Sequence, residues 1–157
     1  MVLVTGECSF QEWRSRTDAR LFALCSLGEE QLRPISLPNH TAVPGIACRL
    51  NGQYFALKLG DLPPHLTHIF MGLTVPAGHD LSEADYRLQL RFGDSSSRSL
   101  HERIVEGAGR RYALLAVVLR TPDGAWNAQR LETPQLFTDK SELSKKYPVP
   151  EWWLSIP

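Results

Sequence analysis

Cysteine is scarce in this chain: Cys8, Cys25 and Cys48 are the three in 157 residues. They form no C-x-x-C pair, which leaves a zinc site or a thioredoxin-type redox motif without support. Cys25 and Cys48 lie in apolar, strand-like stretches and read as inert buried thiols. Charge of one sign is missing too, since 17 basic residues balance 17 acidic ones. Such a chain has no broad field to hold nucleic acid or an anionic membrane, so neither is the expected partner. A charge near zero weakens colloidal repulsion and leaves room for self-association or a protein partner. No apolar run reaches the roughly 20 residues of a helical membrane span. The opening Met1-Val-Leu-Val-Thr-Gly6 is too short and lacks the basic start of a secretory signal, so the expected compartment is the cytoplasm. No G-x-S-x-G elbow, P-loop or dinucleotide fingerprint occurs, and Ser95, Ser96 and Ser97 have no adjacent base. Nothing positive supports an enzyme.

What is abundant is strand signal. Arg111-Tyr-Ala-Leu-Leu-Ala-Val-Val-Leu119 is the most apolar run in the chain. Simple alternation puts Tyr112, Leu114, Ala116 and Val118 on one face and Ala113, Leu115, Val117 and Leu119 on the other. Both faces are apolar, so both must be covered. Thr121-Pro-Asp-Gly124 is a turn, with proline presetting one φ and Gly124 taking a positive one. Trp126 to Leu131 then returns as a less buried partner strand.

Upstream, Val2-Leu-Val4 reads as a short strand, and Glu7 to Thr17 as polar and irregular with Phe10 and Trp13 as anchors. Asp18 to Ser26 is strand-like and ends at Gly28. Pro34, Pro38 and Pro44 exclude a helix and suit an edge strand with loops. Ile46 to Leu50 and Gln53 to Leu59 flank Asn51-Gly52, the strongest short-range hairpin signal. There Phe55, Leu57 and Leu59 are assigned to the core. Ile69 to Val75 and the alternating Tyr86 to Phe92 are further strands, and Leu100 to Glu106 fits a strand or a single helical turn. Asp139 to Tyr147 is helix-like: Asp139 can cap it, Glu142 follows three residues on, and lysines occupy the far end. The fold class is all-β, an antiparallel β-sandwich with a short C-terminal helix.

Candidate chemistry is thin. His65-x-x-His68 has no cysteine or acidic neighbour at ligand spacing and reads as two exposed loop histidines. His79, Asp80, Glu83 and Asp85 lack the alternate-position oxygens of a calcium loop and read as a solvated loop. His101 and Glu102 are adjacent on a strand and therefore point to opposite faces. The tail Glu151-Trp-Trp-Leu-Ser-Ile-Pro157 is apolar for a chain end. Taken as a strand, it cannot turn both Trp152 and Trp153 toward one core. Trp152, Trp153 and Leu154 are therefore the candidate partner contact, set against simple docking on the domain's own surface.

With the strands placed, the chain resembles the TerD-like (tellurium resistance, or bacterial stress-protein) domain family. Val4-Thr5-Gly6 and Asp18-Ala-Arg-Leu-Phe-Ala-Leu24 stand where its members have a Val-Thr-Gly lead and an Asp-Ala-Ser strand. Pro38-Asn39-His40 with Pro44-Gly45-Ile46 is similar to its Tyr-Asn-Asn segment and glycine hairpin. Leu59-Gly-Asp-Leu-Pro-Pro-His-Leu-Thr-His-Ile-Phe70 resembles its L-x-x-L-P-x-x-V-x-x-I-x-F pattern. Ala116 to Ala128, with Arg120, Gly124 and Trp126, resembles its final hairpin. The ordered set runs from Val2 to Leu131, which implies a TerD-like sandwich over residues 1–131. Residues 132–157 depart from the family and read as a helix and apolar tail docking on the domain or a partner.

The resemblance implies a cytoplasmic, non-enzymatic module that works by protein contact in a bacterial stress or resistance response to tellurite, phage or colicin. Its partners would be proteins of the same gene cluster or a second copy. Members bind calcium through acidic loops, but Glu12-Trp13-Arg14 and Arg16-Thr17-Asp18 replace most of the ligands here, and Asn51-Gly52 stands for a longer acidic loop. Asp18 and Asn39 remain as a weak residual pair, too few for the six to eight oxygens calcium takes. The expectation is no cofactor. The alternative is a small-ligand or metal-dependent activity using His40, His65, His68, His79 and Asp80, which requires those residues to converge.

Overall fold

The structure is a computed structural model, and it describes residues 2–4, 7–13, 19–36, 43–49, 54–83, 87–92, 97–102 and 107–155. Just over half of these residues lie in two antiparallel sheets. The strands are β1 (Val2–Val4), β2 (Glu7–Trp13), β3 (Arg20–Ser26), β4 (Arg33–Ile35), β5 (Ile46–Arg49), β6 (Tyr54–Lys58), β7 (His68–Thr74), β8 (Arg87–Phe92), β9 (Ser97–Glu102), β10 (Tyr112–Arg120) and β11 (Trp126–Phe137). One sheet runs β1-β11-β10-β7-β3-β4 and the other β5-β6-β2-β8-β9. The helices α1 (Lys140–Lys146) and α2 (Glu151–Leu154) close the chain.

Apolar residues of both sheets fill the space between them. Leu21, Ala23, Ile69, Met71 and Leu73 from one sheet meet Cys8, Ile46, Phe55 and Leu57 from the other, all buried. Phe55, Leu57 and Leu59 are in this core as their alternation predicts. Pro34 sits in β4, an edge strand paired on one side with β3, where a missing N–H costs no ladder bond. The stretch from Leu100 resolves as strand within β9. The Asn51-Gly52 turn lies outside the described residues, but β5 and β6 on either side of it pair antiparallel.

Two sequence expectations need correction. Glu7 to Trp13 is not irregular: it forms β2, the middle strand of its sheet, paired with β6 on one side and β8 on the other. Its polar composition hid it, yet Cys8 and Ser9 are both buried. The strict two-face assignment of β10 also fails. The register with both neighbours shifts between Leu114 and Ala116, a β-bulge. A bulge inserts one extra residue and switches the faces beyond it. Ala116 and Val118 therefore join Ala113 and Leu115 in the core between the sheets, while Tyr112 and Leu114 point outward.

That outward face is covered, as an apolar strand in the middle of a sheet requires. Phe22, Leu24, Tyr112, Leu114 and Phe137 form a second core with Leu143, Val149 and Trp153 from the C-terminal segment. The strand β11 itself continues through Phe137, six positions beyond Leu131. Residues past 131 therefore supply both the end of a sheet strand and the lid over the sheet.

Candidate contact surface

The C-terminal segment is fixed from its first residue. Asp139 is extended, and its side chain accepts a 2.9 Å bond from the Glu142 backbone N–H. Glu142 returns the arrangement by accepting from the Thr138 N–H at 2.9 Å, so two otherwise orphaned donors are satisfied. The other Glu142 carboxylate oxygen pairs with Arg110 at 3.1 Å, which ties α1 to the approach of β10. Backbone bonding and the Arg110 charge together hold the Glu142 carboxyl below its ordinary range. At the far end of α1, the Tyr147 hydroxyl donates to Gln135 Oε1 at 2.6 Å. The ring of Tyr147 lies 5.1 Å from that of Phe70 on the sheet.

Pro148 and Pro150 end α1, and the chain restarts as α2 with Pro150 immediately before its first residue. The two tryptophans therefore lie on a helical turn rather than a strand, which corrects the expectation. Successive helical residues are about 100° apart, so one can face inward while its neighbour faces water. Trp153 is 1% exposed; its ring is 5.9 Å from Phe22 and 6.2 Å from Tyr112. Its indole N–H donates to Ser36 Oγ at 3.0 Å, so the buried ring leaves no polar atom unpaired. Lys140 closes the arrangement: Nζ donates to the Trp153 carbonyl at 2.8 Å and lies 4.5 Å from the centre of its ring. Trp152 is 42% exposed, the large apolar side chain that the described residues leave in water. Leu154 is partly buried against the second core. Of the three expected contact residues, Trp153 docks on its own domain and Trp152 is presented outward.

The histidines separate. His68 begins β7 and His79 follows its end, and seven residues of strand place them roughly 20 Å apart at about 3.3 Å per residue. At the His65–His68 end, His68 Nδ1 lies 3.0 Å from Thr67 Oγ1, and its ring stacks on Phe70 at 5.9 Å. Arg120 fixes the neighbouring loop by donating to the carbonyls of Pro63 and Pro64 at 3.2 and 3.3 Å. Its guanidinium lies 4.6 Å from the centre of the Trp126 ring. At the other end Asp80 is a structural acceptor, taking bonds from Gly109 N and Ser82 N at 3.0 Å each and from the Ser82 hydroxyl. Gly107 lets the two loops meet, since a Cβ there would lie 2.5 Å from that of Leu81. The structure thus does not bring His65 and His68 together with His79 and Asp80. His40, Asp85 and the Asp18–Asn39 pair lie outside the described residues, as do the side chains of Glu83 and His101. Among the described residues no group of three or more His, Cys, Asp or Glu is placed to hold a metal ion.

The cysteines are free thiols. Burial pushes Cys8 and Cys25 up to about 12, with Arg33 pulling slightly the other way at Cys25, and Cys48 up to about 11. The thiolate is the reactive form, so burial keeps all three unreactive near neutral pH.

No helix among the described residues is long and apolar enough to cross a membrane. No protein-family model matches the sequence, and no curated protein does either. Solved structures match the fold, and two of them do so along nearly the whole chain. One is a protein of unknown function, SAV2460, with a TM-score of 0.66 and 12% identity, covering 95% of this chain and 94% of that one. The other is a homologue of telluride resistance protein (TerD), SCO6318 from Streptomyces coelicolor A3(2), with a TM-score of 0.64 and 12% identity, covering 92% of this chain and 99% of that one. The chain has a divergent TerD-like fold.

Proposed function

We propose that this chain is a TerD-like module that works by protein contact, without catalysis or cofactor, in a cytoplasmic bacterial stress or resistance response. The observation that supports the reading is the likeness to the TerD homologue over 92% of this chain and 99% of that one. The alternative reading, which needs the histidines to converge, is disfavoured because His65 and His68 lie at the opposite end of β7 from His79 and Asp80 among the described residues. Trp152 is the contact residue in this proposal, because its indole is in water while the ring beside it is in the core. The partner is a protein of the same response system or a second copy.

Deleting residues 132–157 is a poor test, because it would remove Phe137, Leu143, Val149 and Trp153 from the second core. The single change Trp152→Ala is cleaner. The gene is deleted in its native cell and growth is scored under tellurite, phage and colicin challenge. Sensitisation to at least one, rescued by the unaltered chain and not by Trp152→Ala, is the expected result. Growth unchanged under all three, or full rescue by the variant, contradicts the proposal.

A further inference from the structure

We propose that residues 138–155 are a strap that clamps the edge strand β4, and that strap and β4 open together as one unit, baring the edge of β3. The clamp grips the strand at both ends. Just before β4, the Leu32 N–H donates to the Pro148 carbonyl at 2.8 Å. Just after it, Ser36 Oγ accepts from the Trp153 indole N–H at 3.0 Å. Between the two grips the strap runs through Val149, which is buried, and Pro150, which precedes α2.

Alternation along β4 turns one of its faces to the strap. Leu32 packs on the second core, Pro34 is buried as the register partner of Leu24, and Ser36 meets Trp153. The cover of that core is Leu143, Val149 and Trp153, all from the strap. Ile35, on the opposite face, enters the core between the sheets.

Apart from Ile35, β4 has little else to hold it. It pairs with β3 at Ala23–Ile35, Leu24–Pro34 and Cys25–Arg33, and Pro34 has no N–H to give. The strap is equally dependent. Its helices have seven and four residues, short of the roughly 12–15 at which a helix begins to stand alone in water. Neither element keeps its place without the other, which makes their opening cooperative. The boundary of the unit falls between β4 and β3, because β7 pairs with β3 at every position from Arg20 to Ser26 and retains it. Once β4 leaves, β3 presents a row of N–H and C=O groups to which an extended segment can add. The strap is thus a cover on that edge.

Native-state hydrogen exchange of the full chain, followed amide by amide under conditions that report opening equilibria, tests the proposal. Leu32 and Ile35 at β4, and Leu143 and Tyr147 in the strap, should share one opening constant, larger than that of Met71 and Val118 in the middle of the sheet. Val149→Ala removes two buried carbons from the strap alone. It should raise exchange at Leu32 and Ile35 by the same factor as at Leu143 and Tyr147, about ten-fold. Trp153→Phe keeps a ring in the core and removes the grip on Ser36, and it should move the same four amides together. Ile35 unmoved while the strap amides rise overturns the proposal, since β4 then opens without the strap. Unequal constants among the four amides overturn it as well, as does Ile35 exchanging as slowly as Met71 and Val118 in the unaltered chain. These readouts are independent of Trp152 and of any stress phenotype, so this inference and the proposed function fail separately.

Discussion

Phe22 occupies the space left on the sheet by the side chain that Gly72 lacks. The two are register partners across β3 and β7, and a Cβ on Gly72 would lie 2.4 Å from Phe22 Cζ. Because Phe22 can sit there, its ring meets Tyr112 edge-on at 5.9 Å and Trp153 at the same distance. One glycine in the sheet thus sets the seat into which the end of the chain docks.

Gly72→Ala should therefore act at a distance from its own position. The new methyl would also lie 2.7 Å from the Ala113 carbonyl, so backbone as well as side chain must yield. Overpacking of this kind costs about 1–3 kcal/mol. The expected outcome is a lower midpoint in denaturant unfolding and a red-shifted tryptophan emission as Trp153 loosens. A midpoint and spectrum equal to the parent's would show that Phe22 has room to move.

The thiols give a second test. Cys8 and Cys25 at about 12, and Cys48 at about 11, should resist an aromatic disulfide reagent at pH 8 in the folded chain. All three should react once the chain is unfolded, with Cys48 first to react in the native state because it is half-buried. Folded pKa values above the ordinary 9.0 mean that the contribution of these groups is complete below pH 9 and is lost as pH rises toward 11–12. Rapid native labelling of Cys25 would contradict its burial.

Lys140 has the opposite sign. Its folded value of about 8 lies below the ordinary 10.5, so the unfolded chain binds more protons between those values. Its contribution is complete above pH 10.5 and is lost as pH falls through 8. The unaltered chain should gain stability relative to Lys140→Met as pH rises from 7 to 10, a comparison in which the thiols cancel. A difference independent of pH would mean that the ammonium is not desolvated against Trp153.

Much of the architecture was legible from alternation and turn chemistry. The demand that β10 be covered on both faces follows from its apolar run, and the structure meets it with one core on each side. The Asp139 cap was legible because Asp and Glu three residues apart leave a local signature. The bulge at Leu114 and Ala116 was not, since a register shift depends on both neighbouring strands and leaves the apolar run looking unbroken. The strand β2 was missed because a polar stretch becomes a strand through its partners. The placement of the two tryptophan rings was half legible. The pair Trp152-Trp153 implied that one ring faces out, but only Pro150 ahead of Glu151 hinted at the helix that decides which. Ser36 and Lys140, which hold Trp153, lie 117 and 13 positions from it and carry no motif.

The central claim is that the end of the chain is part of the domain, with Trp153 inside and Trp152 outside. Thermal unfolding of Trp153→Ala and Trp152→Ala side by side tests it most directly. Truncating a buried tryptophan costs about 3–5 kcal/mol, and an exposed one usually within about 0.5 kcal/mol. Trp153→Ala should therefore lower Tm by roughly 10 °C, at about 2–4 °C per kcal/mol for a chain of this size. Trp152→Ala should leave Tm within about 2 °C of the parent. Equal effects from the two substitutions, or a larger one from Trp152→Ala, would contradict the account.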